Sequence, residues 1–195
     1  MTDERPPNSP RPLPAGRQLP TRPIAILLAV AVLVTAVVVG LTALRPGSGS
    51  ATNDIAVGQV VPDLAGTTLD GKAFNLAALR GKPAVVNFWK PTCVPCRDEF
   101  PLLAAKATEH AAAGLVIVGV MSDDPVELAR DFAAKYGGSW SSVIDEGGRI
   151  KKSWRVIAWP QTYFIDAGGV LRSIQIGEVT EALFERQYAA ISAGG

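Results

Sequence analysis

Two cysteines separated by two residues are the feature that most restricts how this chain can fold. Cys93 and Cys96 are the only cysteines among its 195 residues. They follow a nearly continuous apolar run, 84–89, of the kind that forms a central strand buried on both faces. Pro95 suits the first turn of a helix, where its missing N–H costs little. We therefore expect the cysteine pair to lie at the junction between the end of a buried strand and the start of a helix.

This placement has a chemical consequence for the two thiols. The N-terminus of a helix presents unpaired N–H groups and the positive end of the dipole, which favour a thiolate. Thiol pKa values in such motifs can fall from about 8.5 to roughly 3.5–7.5, and the thiolate is the nucleophile in thiol–disulfide exchange. We predict that Cys93 attacks a partner disulfide and that Cys96, one turn into the helix, resolves the mixed disulfide.

Three alternative roles for the cysteine pair remain open but fit less well. A purely structural disulfide would close a very short loop, which constrains the unfolded chain little. A structural zinc site needs four ligands, and the chain offers two Cys and one His. Two unrelated buried thiols would leave the close spacing unexplained.

The remaining pattern alternates strands with helices and predicts an α/β fold with a central mixed sheet flanked by helices. Asp70-Gly71 marks an early hairpin, and Asp123-Asp124 before Pro125 is interpreted as a helix-start signal. The other expected elements are a helical turn over 76–79, a helix over 95–113, a strand over 115–120, a helix over 125–136, a short strand over 140–144, a helical stretch over 148–154, a hairpin of 161–165 with 170–176, and a closing helix over 180–191 capped by Thr180.

Residues 24–44 form 21 consecutive positions without a charge, and about 20 helical residues cross a bilayer core. We interpret this run as a transmembrane anchor. It would separate a disordered cytoplasmic tail, 1–23, from a linker, 45–56, and a folded domain, 57–195. Arginines before the run favour keeping the tail cytoplasmic, which places the domain outside the cytoplasm. A cleaved signal peptide would export the domain equally, and a helix buried in a soluble protein is the third possibility.

The charge balance of the folded part argues against one class of partner. From Asp54 onward the chain carries 14 basic and 16 acidic side chains. A nearly neutral domain gives no electrostatic basis for binding nucleic acid.

Several motifs together resemble the membrane-anchored TlpA/ResA/CcmG branch of the thioredoxin-like proteins, within the wider redoxin (AhpC/TSA) group. The motifs that carry the resemblance are Asp70-Gly71-Lys72, Asn87-Phe88-Trp89, Cys93-x-Pro95-Cys96, Glu99-Phe100-Pro101 and the segment from Pro160 to Asp166 with Gly168-Gly169. The resemblance implies a thioredoxin-like fold with an N-terminal hairpin extension.

Matched positions imply roles for individual residues. Cys93 would be the nucleophile, Cys96 the resolving thiol, and Pro160 a cis-proline beside the disulfide that helps to hold an extended substrate segment. Pro160 could instead be an ordinary trans turn proline. Glu99 would tune the thiols or relay a proton, and the alternative is a solvated acid on the helix face. Trp89 is expected in the core, at the edge of the site, where we predict that it contacts a substrate.

Two positions depart from the family pattern. Thr92 stands where this branch usually has tryptophan, directly before the first cysteine, and Trp159 stands where the residue before the cis-proline is usually smaller. Together they could move an aromatic surface from one side of the disulfide to the other, or Trp159 could simply pack in the core. We expect these two departures to affect which partner proteins bind rather than the thiol–disulfide exchange itself.

The resemblance implies an enzyme that reduces disulfides of exported proteins, including apocytochrome c before haem attachment. It would receive electrons from a donor in the membrane and need no cofactor or metal beyond the redox-active disulfide. Oxidation of exported thiols is the alternative direction. A peroxidase would usually carry Thr three residues before the reactive Cys, whereas Thr92 is adjacent to Cys93. A copper-binding module would usually have a longer Cys spacing and a later histidine, and His110 is the last histidine here.

Overall fold

The computed structural model of the protein describes residues 33–34 and 55–193. Within those two ranges no helix is both long enough and apolar enough to cross a membrane. The predicted tail, and the predicted anchor and linker except for residues 33–34 and 55–56, lie outside the described residues.

The elements follow the order that the sequence pattern predicts. The strands are β1 (Ala65–Thr67), β2 (Ala73–Asn75), β3 (Ala84–Trp89), β4 (Val116–Met121), β5 (Ser142–Ile144), β6 (Gln161–Ile165) and β7 (Leu171–Ile176). The α-helices are α1 (Val94–Glu109), α2 (Val126–Tyr136), α3 (Arg149–Ser153) and α4 (Glu181–Ser192). Short 3-10 turns cover Leu76–Leu79, Ala111–Ala113 and Glu146–Gly148. Boundaries differ from expectation by a few residues, chiefly because α1 ends at Glu109 and a separate 3-10 turn follows it.

Five strands form one mixed sheet in the order β5-β4-β3-β6-β7. β3 pairs in parallel with β4 and antiparallel with β6, so it is the central strand. All six of its residues are buried, as expected for a strand covered on both faces. β1 and β2 form the predicted N-terminal hairpin as a separate antiparallel pair. The thioredoxin-like architecture is therefore confirmed for the described part of the chain.

Alternate residues of β3 belong to different apolar clusters, as the two-residue period of a strand requires. Val86 and Phe88 pack with Trp154 and Tyr163 in one cluster. Val85 joins a second cluster, built largely from residues of α1 and α4. Trp89, at the end of the strand, belongs to a third cluster, which also contains both cysteines. The strand thus ends in the group of side chains that supports the disulfide.

A buried lysine links α1 to α4 through ion pairs. The Lys106 side chain is 5% exposed, and its Nζ lies 2.7 Å from Glu109, 3.0 Å from Glu181 and 2.6 Å from Glu185. His110, which follows α1, approaches Glu185 through Nε2 at 3.2 Å. His110 therefore lies next to the pair of helices α1 and α4, and its contact with Glu185 helps to hold them together.

Candidate active site

The cysteine pair lies at the predicted strand–helix junction and forms a disulfide. Cys93 is the N-cap of α1, and its Sγ accepts a hydrogen bond from the Cys96 N–H at 3.2 Å. Pro95 occupies the first turn of the helix. In the reduced protein, the same N–H and the positive end of the helix dipole favour a thiolate on Cys93.

The two sulfurs differ in their access to solvent. Cys93 is 7% exposed, whereas Cys96 is 0% exposed. Cys93 is therefore the sulfur that an approaching partner can reach, and Cys96 is enclosed by protein. This asymmetry matches the predicted division between an attacking and a resolving thiol.

An aromatic cluster supports the disulfide. The Trp89 ring lies 4.8 Å from the Phe100 ring and 5.1 Å from the Phe132 ring, centroid to centroid. Gly119 leaves room for this packing, since a Cβ at that position would lie 2.8 Å from Trp89 Nε1. Trp89 is 0% exposed. The predicted contact of Trp89 with substrate does not fit this placement, because no part of a fully buried ring reaches a docking protein, and we reassign Trp89 to support of the site.

The peptide bond between Trp159 and Pro160 is cis, as the resemblance implied. Pro160 is buried and its carbonyl accepts the Gly177 N–H at 2.9 Å, which joins the loop before β6 to the end of β7. Trp159 packs against the cluster that contains Cys93 and Cys96. The cis-proline segment therefore reaches the disulfide region through Trp159, and its contact with substrate stays a prediction.

Two lysines flank the Trp159 ring. Lys90 Nζ lies 4.9 Å and Lys151 Nζ 5.3 Å from the ring centroid, within cation–π distance. Trp159 remains partly exposed. Its surroundings combine an aromatic surface with positive charge beside the disulfide, which the sequence alone did not indicate.

Thr92 is held by a carboxylate from a distant part of the chain. Asp124 Oδ2 accepts hydrogen bonds from the Thr92 N–H at 3.0 Å and from Thr92 Oγ1 at 2.8 Å. Helix α2 begins at Val126, so Asp123-Asp124 does precede a helix start as predicted, although Asp124 binds Thr92. Pro125 is the N-cap of α2, and no side-chain hydrogen bond caps this helix among the described residues.

Glu99 lies one helical turn after Cys96 and is 1% exposed, so it is not a solvated acid on the helix face. Asn87 Nδ2 donates to its Oε1 at 2.7 Å, and the Val179 N–H donates to its Oε2 at 2.9 Å. Asn87 Nδ2 also donates to Thr162 Oγ1 at 2.9 Å. The carboxyl group thus connects β3, α1 and the segment before α4.

Burial raises the pKa of Glu99 to about 7, because an ionised carboxylate loses its hydration there. The hydrogen bonds from Val179 and Asn87 lower the pKa and offset part of the burial effect, while Glu178 raises it further. A carboxyl group with a pKa near neutral pH can accept and return a proton under physiological conditions.

Sequence reasoning missed three partners in this network. Asn87, Thr162 and Val179 were assigned only to strands or to the chain between elements. One signal was present: Asn87 is an amide in the middle of an otherwise apolar run, and a buried amide needs hydrogen-bond partners. Nothing local in the sequence identifies Glu99 as that partner.

We expect the elevated pKa of Glu99 to make the stability of the oxidised protein depend on pH. Between pH 4.5 and about 7 the native carboxyl stays protonated while the unfolded one ionises. The free energy of unfolding should therefore fall as pH rises through this window and level off above it. A shift of this size corresponds to on the order of 3 kcal/mol. Denaturant titrations of the disulfide form at several pH values measure the slope.

Glu99→Gln is the matched variant for that measurement. It replaces one acceptor oxygen with an NH₂ group, so we expect lower stability at pH 4.5. Its profile between pH 4.5 and 7 should be flatter, because only the wild type has a carboxyl group there to ionise. Equal slopes of the free energy of unfolding against pH for the wild type and Glu99→Gln would show that protonation of Glu99 does not cause the pH dependence.

Comparison with known proteins gives a consistent identity for the fold and the site. The sequence profile of the AhpC/TSA family matches residues 57–174. The thiol-disulfide oxidoreductase ResA of Geobacillus kaustophilus is 31% identical over 137 residues, which cover 70% of this chain and 79% of ResA. The thiol:disulfide interchange protein DsbE of Pseudomonas fluorescens biotype C is 34% identical over 136 residues, which cover 69% of this chain and 74% of DsbE.

A solved structure agrees with these relatives. MTB DsbF, determined in mixed oxidised and reduced forms, superposes with a TM-score of 0.61 at 29% identity, covering 66% of this chain and 94% of DsbF. The matched regions contain the Cys93–Cys96 disulfide and the fold around it. The chain therefore belongs to the AhpC/TSA family and is a thiol–disulfide oxidoreductase of the ResA/DsbE type.

Proposed function

We propose that this protein is a membrane-tethered, extracytoplasmic enzyme that reduces disulfides in exported proteins. The observation that carries the proposal is the disulfide itself: Cys93 caps a helix at a site that a partner can reach, while Cys96 is enclosed one helical turn before a buried carboxyl group. The reduced form of such a pair can donate two electrons to a partner without a cofactor.

The proposed reaction proceeds in two exchanges. The Cys93 thiolate attacks one sulfur of the partner disulfide, a Cys93–partner bond forms, and the other partner sulfur leaves as a thiolate. Cys96 then loses its proton and attacks the Cys93 sulfur, which restores the Cys93–Cys96 disulfide and releases the second partner thiolate. The partner gains two electrons, and a membrane donor must return two electrons to the enzyme before the next cycle.

We propose that Glu99 accepts the proton of Cys96 in the second exchange. Cys96 is fully buried, so water has little access to its thiol. Glu99 follows it by one turn of the same helix and has a pKa near neutral pH, raised chiefly by burial. Once ionised, the carboxylate also disfavours a neighbouring thiolate. It therefore favours the disulfide form and makes the reduced pair a stronger reductant.

The partners that we propose are exported proteins with disulfides, including apocytochrome c. The support is the similarity to ResA and DsbE together with the resemblance to CcmG. ResA of Geobacillus kaustophilus is a thiol-disulfide oxidoreductase, and DsbE of Pseudomonas fluorescens is a thiol:disulfide interchange protein. Reduction of apocytochrome c cysteines before haem attachment is the specific task within this class.

A trapping experiment tests the exchange function. Cys96→Ser cannot resolve its mixed disulfide, so we expect natural partners to remain attached to Cys93 and to be released by a thiol reductant. Partners are identified by mass spectrometry after purification from the native host. The control is Cys93→Ser combined with Cys96→Ser, which should retain none. A set of partners common to both variants, or none in either, would contradict the proposal.

The reduction potential decides the direction of exchange. Equilibration with glutathione should give a value well below about −180 mV, the upper end of oxidising compartments, if the enzyme is a reductase. Glu99→Gln should shift the potential upward, because it removes a charge that disfavours the thiolate. A wild-type value near the −120 mV or so of a strong oxidant such as DsbA would instead assign oxidation of exported thiols.

The tether is tested by fractionation of the full chain. We expect the full chain to stay in the membrane pellet after alkaline carbonate washing and its domain to be digested by protease added from outside. A chain that begins at Arg45 should be released by the wash. Recovery of the full chain in the soluble fraction, or at a mass that lacks residues 24–44, would argue against the anchor.

A further inference from the structure

Two adjacent carboxylates contact two different segments near the disulfide. The Ser122 N–H donates to the Trp89 carbonyl at 3.3 Å, which keeps the end of β4 beside the end of β3. Asp123 and Asp124 follow directly. From this position Asp124 reaches the loop before Cys93, and Asp123 reaches a lysine beside Trp159.

The contact of Asp124 involves the residue immediately before the nucleophile. Its Oδ2 accepts both the backbone N–H and the hydroxyl of Thr92. A second hydrogen bond closes the same loop, from the Cys93 N–H to the Lys90 carbonyl at 3.2 Å. One carboxylate therefore fixes the backbone and the side chain at the entrance to Cys93.

The contact of Asp123 involves a different part of the chain, near Trp159. Its carboxylate oxygens bind Lys151 Nζ, with the Oδ2 contact at 2.6 Å, and the same Nζ lies over the Trp159 ring. Asp123 has a φ of +68°, a left-handed conformation that is uncommon for a residue other than glycine. Uncommon backbone conformations persist where the surrounding contacts hold them, and they concentrate at functional sites.

We propose that Asp123-Asp124 is a positioning element for the exchange reaction, in which Asp124 fixes the Thr92 loop and sets the charge near Cys93, while Asp123 holds Lys151 against the Trp159 surface that a partner meets. The proposal deepens the proposed function and rests on it. Neither residue touches the reacting sulfurs in this role. Asp124 acts through its hydrogen bonds to Thr92 and through its charge, and Asp123 acts through Lys151.

The two residues should affect different quantities. A negative charge beside the Cys93 loop disfavours the Cys93 thiolate, so Asp124 should raise the thiol pKa and stabilise the disulfide. The charge of Asp123 is paired with Lys151, and its effect should appear in the docking of a protein partner. Other charged groups around this loop and the base of the site are Lys90, Glu99 and Arg97, whose N–H donates to the Cys93 carbonyl at 3.3 Å and whose side chain pairs with Asp98.

The first experiment measures the pKa of Cys93 from the rate of alkylation of the reduced protein by iodoacetamide, and the potential against glutathione. Asp124→Asn keeps an acceptor oxygen but loses the charge. We expect the Cys93 pKa to fall by about half a unit. The equilibrium constant should shift by about threefold toward the reduced form, which is about 15 mV for this two-electron couple.

Two further variants separate charge from structural damage. Thr92→Val keeps the charge of Asp124 but removes one donor, so the Cys93 pKa should not fall. A general loosening of the loop would move both variants in the same direction. Asp131→Asn, an exposed carboxyl on α2, is the matched control and should equal the wild type. Wild-type values in Asp124→Asn, or equal falls of the pKa in Asp124→Asn and Thr92→Val, would overturn the assignment.

The second experiment uses Asp123→Asn and Lys151→Met with reduced enzyme and insulin as the protein disulfide. We expect KM to rise severalfold in both variants while kcat and the reduction potential stay at wild-type values. Lys152→Met, at the exposed neighbouring lysine, is the control. A shift in potential equal to that of Asp124→Asn, or an unchanged KM, would overturn the role of Asp123.

The wild type distinguishes failure of this proposal from failure of the proposed function. If reduced wild-type protein does not reduce insulin, the exchange function itself fails. If the wild type is active and the Asp123 and Asp124 variants match their controls, only the positioning role fails.

Discussion

The hydrogen bond between Asn87 Nδ2 and Glu99 Oε1 joins the two elements on which the disulfide depends. Burying a carboxyl group and an amide is costly unless each finds a partner. Here Asn87 Nδ2 on β3 and the Val179 N–H supply one partner for each oxygen of Glu99 on α1. Between Asn87 and Glu99 the chain must leave the central strand, pass the cysteines and enter the helix. The position of the disulfide is therefore fixed by a polar contact inside an otherwise apolar core.

This contact also explains why the two cysteines have different environments. Cys93 precedes the helix and keeps 7% exposure, while Cys96 lies within the helix, fully enclosed and one turn before Glu99. The helix N-terminus acts on the first sulfur and favours its ionised form. The buried Glu99 carboxyl group lies nearer in sequence to Cys96 and can accept the proton of its thiol. A single strand–helix junction thus supplies both an accessible nucleophile and an enclosed resolving thiol.

The parts of this arrangement that could be predicted are those encoded by neighbouring residues. The apolar run of β3, Pro95 in the first turn of α1 and the turn between β6 and β7 are local signals, and the structure confirms all three. The missed contacts join residues far apart in the chain: Asn87 with Thr162, Thr92 with Asp124, and Asp123 with Lys151 are separated by 75, 32 and 28 positions. Such pairs form only after the strand order is set. Asp123-Asp124 does precede the start of α2, but its contacts with Lys151 and Thr92 have no local signature.

The same distinction separates the chemistry from the specificity. Exchange depends on the Cys-x-x-Cys spacing and the helix start, which belong to one short segment. The surface that we propose a partner meets depends on Thr92, held by Asp124, and on Trp159, which has Lys90 and Lys151 near its ring. The residue before Cys93 is polar, and the aromatic residue before the cis-proline has positive charge around it. Because these contacts come from separate loops, they can change without disturbing the cysteine junction. We therefore expect partner choice to vary among relatives that keep the same redox site.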